Sequence, residues 1–276
     1  MQQFTNALSS LLSIALSFVL VSLFVTCDTI EKGNYLIPVE LPEAKKKVLI
    51  EDYTGMKCPN CPKAASEIDS LEKTYGDNII AVSIHAGAYA KPSGIFIEDF
   101  RTEAGTAYNL EFNIDAYPTG LVDRNLYNSK IKLDYSEWSG AVLQQIKQES
   151  PLGIEIKNQW AADRRNLNIS INIPIFKDIT DALKLQVWIV EDSIIAPQVN
   201  GSQIINDYIH KHVFRIALNG TWGEDLNGVA KDSVLNKTIE YQLPEKFISK
   251  HCSVVAFVYR TKDKSVVQVN NAKLIK

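Results

Sequence analysis

Two cysteines three residues apart, Cys58 and Cys61, follow an apolar run at 48–53 and precede a stretch with helical spacing of apolar residues. No other feature of the chain restricts its fold as much. Val48-Leu-Ile-Glu-Asp-Tyr53 reads as a strand. Ala64, Ile68, Leu71 and Tyr75 recur at helical spacing, which predicts a helix over 62–75. A thiol where such a helix begins faces unpartnered backbone N–H groups and the positive end of the helix dipole, so its thiolate is favoured. The second thiol lies about one turn on, where it can attack a mixed disulfide formed by the first. Cys58 is therefore the expected nucleophile and Cys61 the resolving thiol, joined as a disulfide when oxidised. Half of a zinc site or a static structural disulfide would use the same pair. No second Cys-x-x-Cys and no His-x3-His follows at ligand spacing, so no metal is expected. Lys57 would favour a neighbouring thiolate, with a plain surface lysine as the alternative.

Compartment is read from the N-terminus. Residues 7–25 are apolar or Ser without a charge, and stop at Thr26-Cys27-Asp28. They read as a signal-peptide core over 1–26, with Cys27 as a lipidated first residue after a loose lipobox. An uncleaved membrane anchor and plain secretion are the alternatives. Each places the rest of the chain outside the cytoplasm, where disulfides persist. Residues 27–45, polar and carrying Pro38 and Pro42, read as a tether.

The remaining chain of roughly 250 residues suffices for two ordinary domains. Net charge is −3 and there is no basic stripe, which argues against nucleic acid as a partner; Lys45-Lys46-Lys47 reads as a solvated strand entrance. Within 46–150 strand and helix alternate: a strand at 78–84, a helix at 97–108, an edge strand at 130–133 and a closing helix at 136–148. After Ser150-Pro151 the period becomes two. Strands are expected at 154–160, 167–173, 183–189, 213–218, 233–243, 253–259 and 266–269. Seven short strands in 151–276 argue for an antiparallel, immunoglobulin-like sandwich.

The order of the first half resembles a thioredoxin-like domain, an α/β fold with a mixed sheet flanked by helices. The matching residues are the strand, the Cys58-Pro59-Asn60-Cys61 site and Tyr117-Pro118-Thr119-Gly120 before Leu121-Val122-Asp123. The whole chain more narrowly resembles the 28-kDa outer-membrane-protein family of Bacteroidetes lipoproteins. That likeness is carried by 52–62, Ser83-Ile-His-Ala-Gly87, Ala116-Tyr-Pro-Thr-Gly120, Val190-Glu-Asp192 with Ala196-Pro-Gln198, and Ala217-Leu-Asn-Gly-Thr-Trp-Gly223. Pro59-Asn60 differs from the Gly-Pro of thioredoxin, and Met56-Lys57 replaces an aromatic.

These resemblances imply a membrane-tethered oxidoreductase acting on protein thiols and disulfides with no cofactor beyond its own two thiols. A surface-binding lipoprotein with a static disulfide is the alternative. They imply a cis Pro118 against the disulfide, with Tyr117 and Thr119 presenting backbone to a substrate strand. They also imply a buried acid, six residues before Cys58, that takes the proton of Cys61. Asp52 fits, and since alternate strand residues face opposite sides, Glu51 is then expected to point away from the core. His85 reads as a loop histidine near the site. His210 and His212 would share a strand face, and Cys252 has the parity of Val254, Ala256 and Val258, as a buried inert thiol would. Trp222-Gly223 reads as a packed turn.

Overall fold

Strands β1 (Val48–Thr54) and β2 (Ile79–His85) pair in parallel, Val48 opposite Ile79 through Thr54 opposite His85. Strand β3 (Thr119–Val122) runs antiparallel along the other edge of β1. Every residue of the three is buried, as near-continuous apolar runs are when both faces of a sheet are covered. The computed structural model describes residues 45–275, so the expected leader at 1–26, Cys27 and nearly all of the tether lie outside the described residues. Four helices accompany these strands: α1 (Cys61–Tyr75), the one-turn α2 (Gly87–Ala90), α3 (Glu103–Glu111) and α4 (Trp138–Ile146).

One face of β1 and β2 carries Val48, Ile50, Ile79 and Ala81 against Ala64, Ile68 and Leu71 of α1 and Trp138, Val142 and Ile146 of α4. Burying each such side chain stabilises by about 1.5–3 kcal/mol. Gly120 leaves room for the Trp138 indole, because a Cβ there would stand 2.3 Å from it. The helix expected at 97–108 starts only at Glu103, where the Thr102 side chain accepts the Gly105 N–H at 2.9 Å and fixes the N-cap. At 130–133 there is no strand, only bridges from Lys130 to Tyr127 and from Leu133 to Gly120.

Among the described residues from 151 onward, the regular elements are nearly all strands: β4 (Glu155–Ala161), β5 (Asn166–Pro174), β6 (Leu183–Glu191), β7 (Ile194–Asn200), β8 (Gln203–His210), β9 (Val213–Ala217), β10 (Glu224–Leu226), β11 (Val234–Gln242), β12 (Cys252–Arg260) and β13 (Val266–Lys273). Strands β7, β8 and β10 add to the seven expected. The large sheet runs β13-β12-β6-β9-β2-β1-β3, with β10 also on β6. It is a mixed sheet in a mostly β protein with few helices. Strand β9 joins the two halves of the sequence, pairing parallel with β2 at Ser83 and antiparallel with β6. Residues 45–275 accordingly fall in one compact unit, and the change of pattern at 150 does not interrupt the sheet. Leu49, Tyr53, Ile80, Val82 and Ile84, on the second face of β1 and β2, share a core with Trp188, Phe214, Val255 and Phe257. Strands β11-β5-β4 form a separate sheet whose apolar residues pack with those of β6 and β12, Cys252 among them.

Candidate functional site

The polar end of the α1-facing strip begins where its apolar residues stop. After Val48 and Ile50 on β1 come Asp52 and Thr54, and after Ile79 and Ala81 on β2 come Ser83 and His85; Asp52 is paired with Ser83 and Thr54 with His85. The chain then turns through Gly55 into Cys58-Pro59-Asn60-Cys61. Cys58 N–H donates to the Gly55 carbonyl at 3.0 Å and Lys57 N–H to the Tyr89 carbonyl at 3.1 Å. The two cysteines are joined as a disulfide with their Cα atoms 5.4 Å apart. Helix α1 begins at Cys61, with Pro62 in its first turn, where a missing N–H costs nothing. Cys58 therefore lies in the turn ahead of the helix, and Cys61 is the residue on the helix itself. Lys57 turns away to donate to Ser93 Oγ at 3.0 Å.

Gly55 is fixed by close approach, since a Cβ there would stand 2.6 Å from the Tyr89 backbone carbon. Backbone cannot yield as a side chain can. Gly55→Ala is expected to cost about 1–3 kcal/mol by overpacking, measured by urea denaturation of the oxidised protein; an unchanged midpoint would contradict this.

The β7–β8 hairpin roofs the disulfide. Val199 N–H donates to the Met56 carbonyl at 2.8 Å and Gly201 N–H to the Pro59 carbonyl at 2.9 Å. Gln198 Nε2 donates to the Cys58 carbonyl at 3.0 Å. Met56 packs with Phe96, Phe100, Ala196 and Val213. Under this cover Cys58 is wholly buried and Cys61 is 3% exposed.

Beneath the first turn of α1 lies a cavity of about 350 Å³ lined by Asp52, Cys61, His85, Tyr208, His210 and His212, among others. Burial raises the Asp52 carboxyl to about 7, with the charge of His212 pulling the other way, and its Oδ1 has no hydrogen-bond partner. Burial holds His85 well below the ordinary imidazole value, helped by neighbouring His210. It also lowers His210 to about 4. His212 is opposite: burial works against its charge, but Glu72 and Asp192 outweigh it and its pKa is raised. His210 ends β8 whereas His212 sits in the following turn with φ 54°, so the two do not share a strand face as expected. Among the described residues no group of three or more His, Cys, Asp or Glu side chains is arranged to hold a metal ion.

The structure thus brings Asp52, Cys58 and Cys61 together. The Tyr117–Pro118 bond is cis. Tyr117 is tied to the motif loop through Tyr89, their rings meeting edge to face at 6.0 Å, and Thr119 is buried in register with Tyr53. The expectation for Glu51 is corrected. It is as buried as Asp52, on the opposite face, where Arg124 donates to it through Nε at 2.7 Å and Nη2 at 2.9 Å. Lys46, expected in solvent, is buried and pairs with Asp123 at 3.0 Å. Both reversals have one cause: strands of the second half cover the face of the sheet that the sequence pattern left open. Cys252 is a buried free thiol raised by burial to about 12. The Trp222 turn packs as expected, its ring on Tyr108 at 5.0 Å.

A mixed, mostly β architecture with few helices defines the class, and solved structures share that fold. A structure described as HBP35 of Porphyromonas gingivalis matches 84% of this chain and 76% of its own length with TM-score 0.67 at 20% identity. Protein AGR_C_4864 from Agrobacterium tumefaciens matches 84% of this chain and 96% of its own with TM-score 0.51 at 12% identity. A domain of the outer membrane lipoprotein Omp28 from Porphyromonas gingivalis matches 45% of this chain and 88% of its own at 22% identity, with TM-score 0.34. No curated protein matches. Residues 105–276 match the family model described as outer membrane protein Omp28, and the chain belongs to that family. It is accordingly a cell-envelope protein of the outer membrane. No helix among the described residues is long and apolar enough to cross a membrane.

Proposed function

We propose that the chain is a lipoprotein, tethered through Cys27, whose first half is a thioredoxin-like thiol–disulfide oxidoreductase and whose second half is an immunoglobulin-like sandwich. The observation that carries this reading is the Cys58–Cys61 disulfide at the entry of α1, with the buried Asp52 carboxyl lining the same cavity as Cys61. In the dithiol form the Cys58 thiolate attacks a protein disulfide, one substrate sulfur leaves as thiolate, and a mixed disulfide forms. Asp52 takes the proton of Cys61, whose sulfur attacks Cys58 and expels the second substrate thiolate. The protein ends oxidised and the substrate reduced; the reverse sequence oxidises a dithiol. Backbone of Tyr117 and Thr119 offers the substrate strand a pairing edge. The hairpin must swing off Met56 and Pro59 for Cys58 to be reached.

That roof also favours a second reading, a surface module that binds a partner through its sandwich and keeps the disulfide static. Disulfide exchange by the mature protein separates the two. Wild type should exchange with a model protein disulfide, Cys58→Ser should abolish the reaction, and Cys61→Ser should trap mixed disulfides visible on a non-reducing gel. Substoichiometric alkylation should label Cys58 first. A wild-type disulfide that neither exchanges nor yields to a dithiol at neutral pH would leave the binding module standing.

A further inference from the structure

His212 belongs to the second half of the chain, yet the fold carries it to the buried carboxyl. Its carbonyl accepts the Ser83 N–H at 2.8 Å, and Ser83 is the register partner of Asp52 across β1 and β2. Its imidazole lines the cavity that Asp52 and Cys61 also line. Two carboxylates flank the ring: Nε2 faces Glu72 Oε1 at 3.4 Å and Nδ1 faces Asp192 Oδ1 at 3.3 Å. Asp192 is itself anchored, by Lys273 at 2.9 Å and by the His212 N–H at 2.8 Å. Two carboxylates this close to a buried ring favour its protonated form through their charge.

We propose that His212 is a positioning residue for Asp52: an imidazolium supplied by the second half of the chain that stabilises the Asp52 carboxylate and sets the pH at which it can take the Cys61 proton. The inference rests on the oxidoreductase reading. Among the described residues no other group around Asp52 supplies that charge. Asp69 and Glu72 on α1 are acids. His85 on β2 is held neutral by its burial, as is His210 on β8. Tyr208 is uncharged and Asp207 is an acid. Lys211 is turned to Asp69 at 2.7 Å, a half-exposed pair. The direction agrees with the charge of His212 drawing the Asp52 carboxyl down against its burial.

The test uses the mature protein and two readouts, the Asp52 carboxyl carbon resonance titrated by NMR and the pH profile of disulfide exchange. His212→Asn removes the charge with a residue that tolerates the left-handed backbone. It should move the Asp52 midpoint up by about one pH unit, as expected for loss of a nearby opposite charge. The acid limb of the exchange profile should move with it. His212→Lys, which keeps a positive charge, should restore both. An unmoved midpoint in folded His212→Asn, with wild type active in exchange, would overturn the role of His212 alone. Wild type without exchange would instead overturn the oxidoreductase reading. Should the variant not fold, the wild-type resonance decides the matter: the Asp52 carbon must show a second inflection where His212 titrates, and a single inflection overturns the proposal.

Discussion

Arg124→Ala is expected to remove a large share of the protein's stability. The guanidinium donates two hydrogen bonds to Glu51 from a site where both side chains are essentially dry, 1% and 0% exposed. Phe112 and Phe257 lie 5.1 and 5.2 Å from its carbon, with Tyr259 at 5.5 Å. Removing the cation strands a buried carboxylate, which costs about 3–5 kcal/mol, against a total stability of about 5–15 kcal/mol for a protein of ordinary stability. Lys cannot reproduce the planar fork, so Arg124→Lys should recover only part of the loss. A double variant, Glu51→Leu with Arg124→Met, should lie nearer wild type than either single change, because it strands no charge. Urea midpoints of the four proteins check this; a single Arg124→Ala within about 0.5 kcal/mol of wild type, the range of ordinary surface substitutions, would show that the pair carries no structural weight.

Asp52→Asn is expected to act the other way, with a gain that grows as pH rises through the window between the two carboxyl values and holds above it. Burial lifts Asp52 from 3.8 to about 7, so between those values the folded state keeps a proton that the unfolded chain has released. Stability therefore falls as pH rises through that window and stays lost above it. A rise of that size corresponds to about 4 kcal/mol, an upper figure for a single buried group. Asparagine removes the penalty. The variant should match wild type near pH 4 and exceed it by about 2–4 kcal/mol at pH 8. Losing the proton acceptor should also slow release of substrate from the mixed disulfide about 100-fold or more. Denaturation midpoints from pH 4 to 8 test the first part, and a stability difference that does not grow with pH would refute it.

What the sequence conveyed was governed by how local each signal is. Strands β1 and β2, helices α1 and α4 and the alternating strands β4, β5 and β11 follow from periodicity, since each buries a stripe set by its own residues. The cysteine pair needed only its spacing. The β7–β8 hairpin escaped because Pro197 and an adjacent Ile-Ile in each strand blur the alternation, although its two-residue Gly201-Ser202 loop was the available signal. Glu51, Arg124, Lys46 and Asp123 were out of reach for a different reason. Their burial depends on which distant strands cover the far face of the sheet, and one chain's periodicity says nothing of that. His212 was noticed as half of a histidine pair, but its place beside Asp52 comes from β9 crossing to β2, a pairing no local pattern announces.

The position of β9 between β6 and β2 has a consequence for how the chain is made. During synthesis β2 and the apolar side chains of Leu49, Ile80 and Val82 emerge long before residues 213–217 and 252–260, which cover them. Until then a bare strand edge and an uncovered apolar face are open to the wrong partner, another copy of the nascent chain included. The segment matching the family model, 105–276, cannot escape this by folding first, because β1 and β2 stand between its own β9 and β3. A nascent chain of this kind cannot close that face until its last strands arrive.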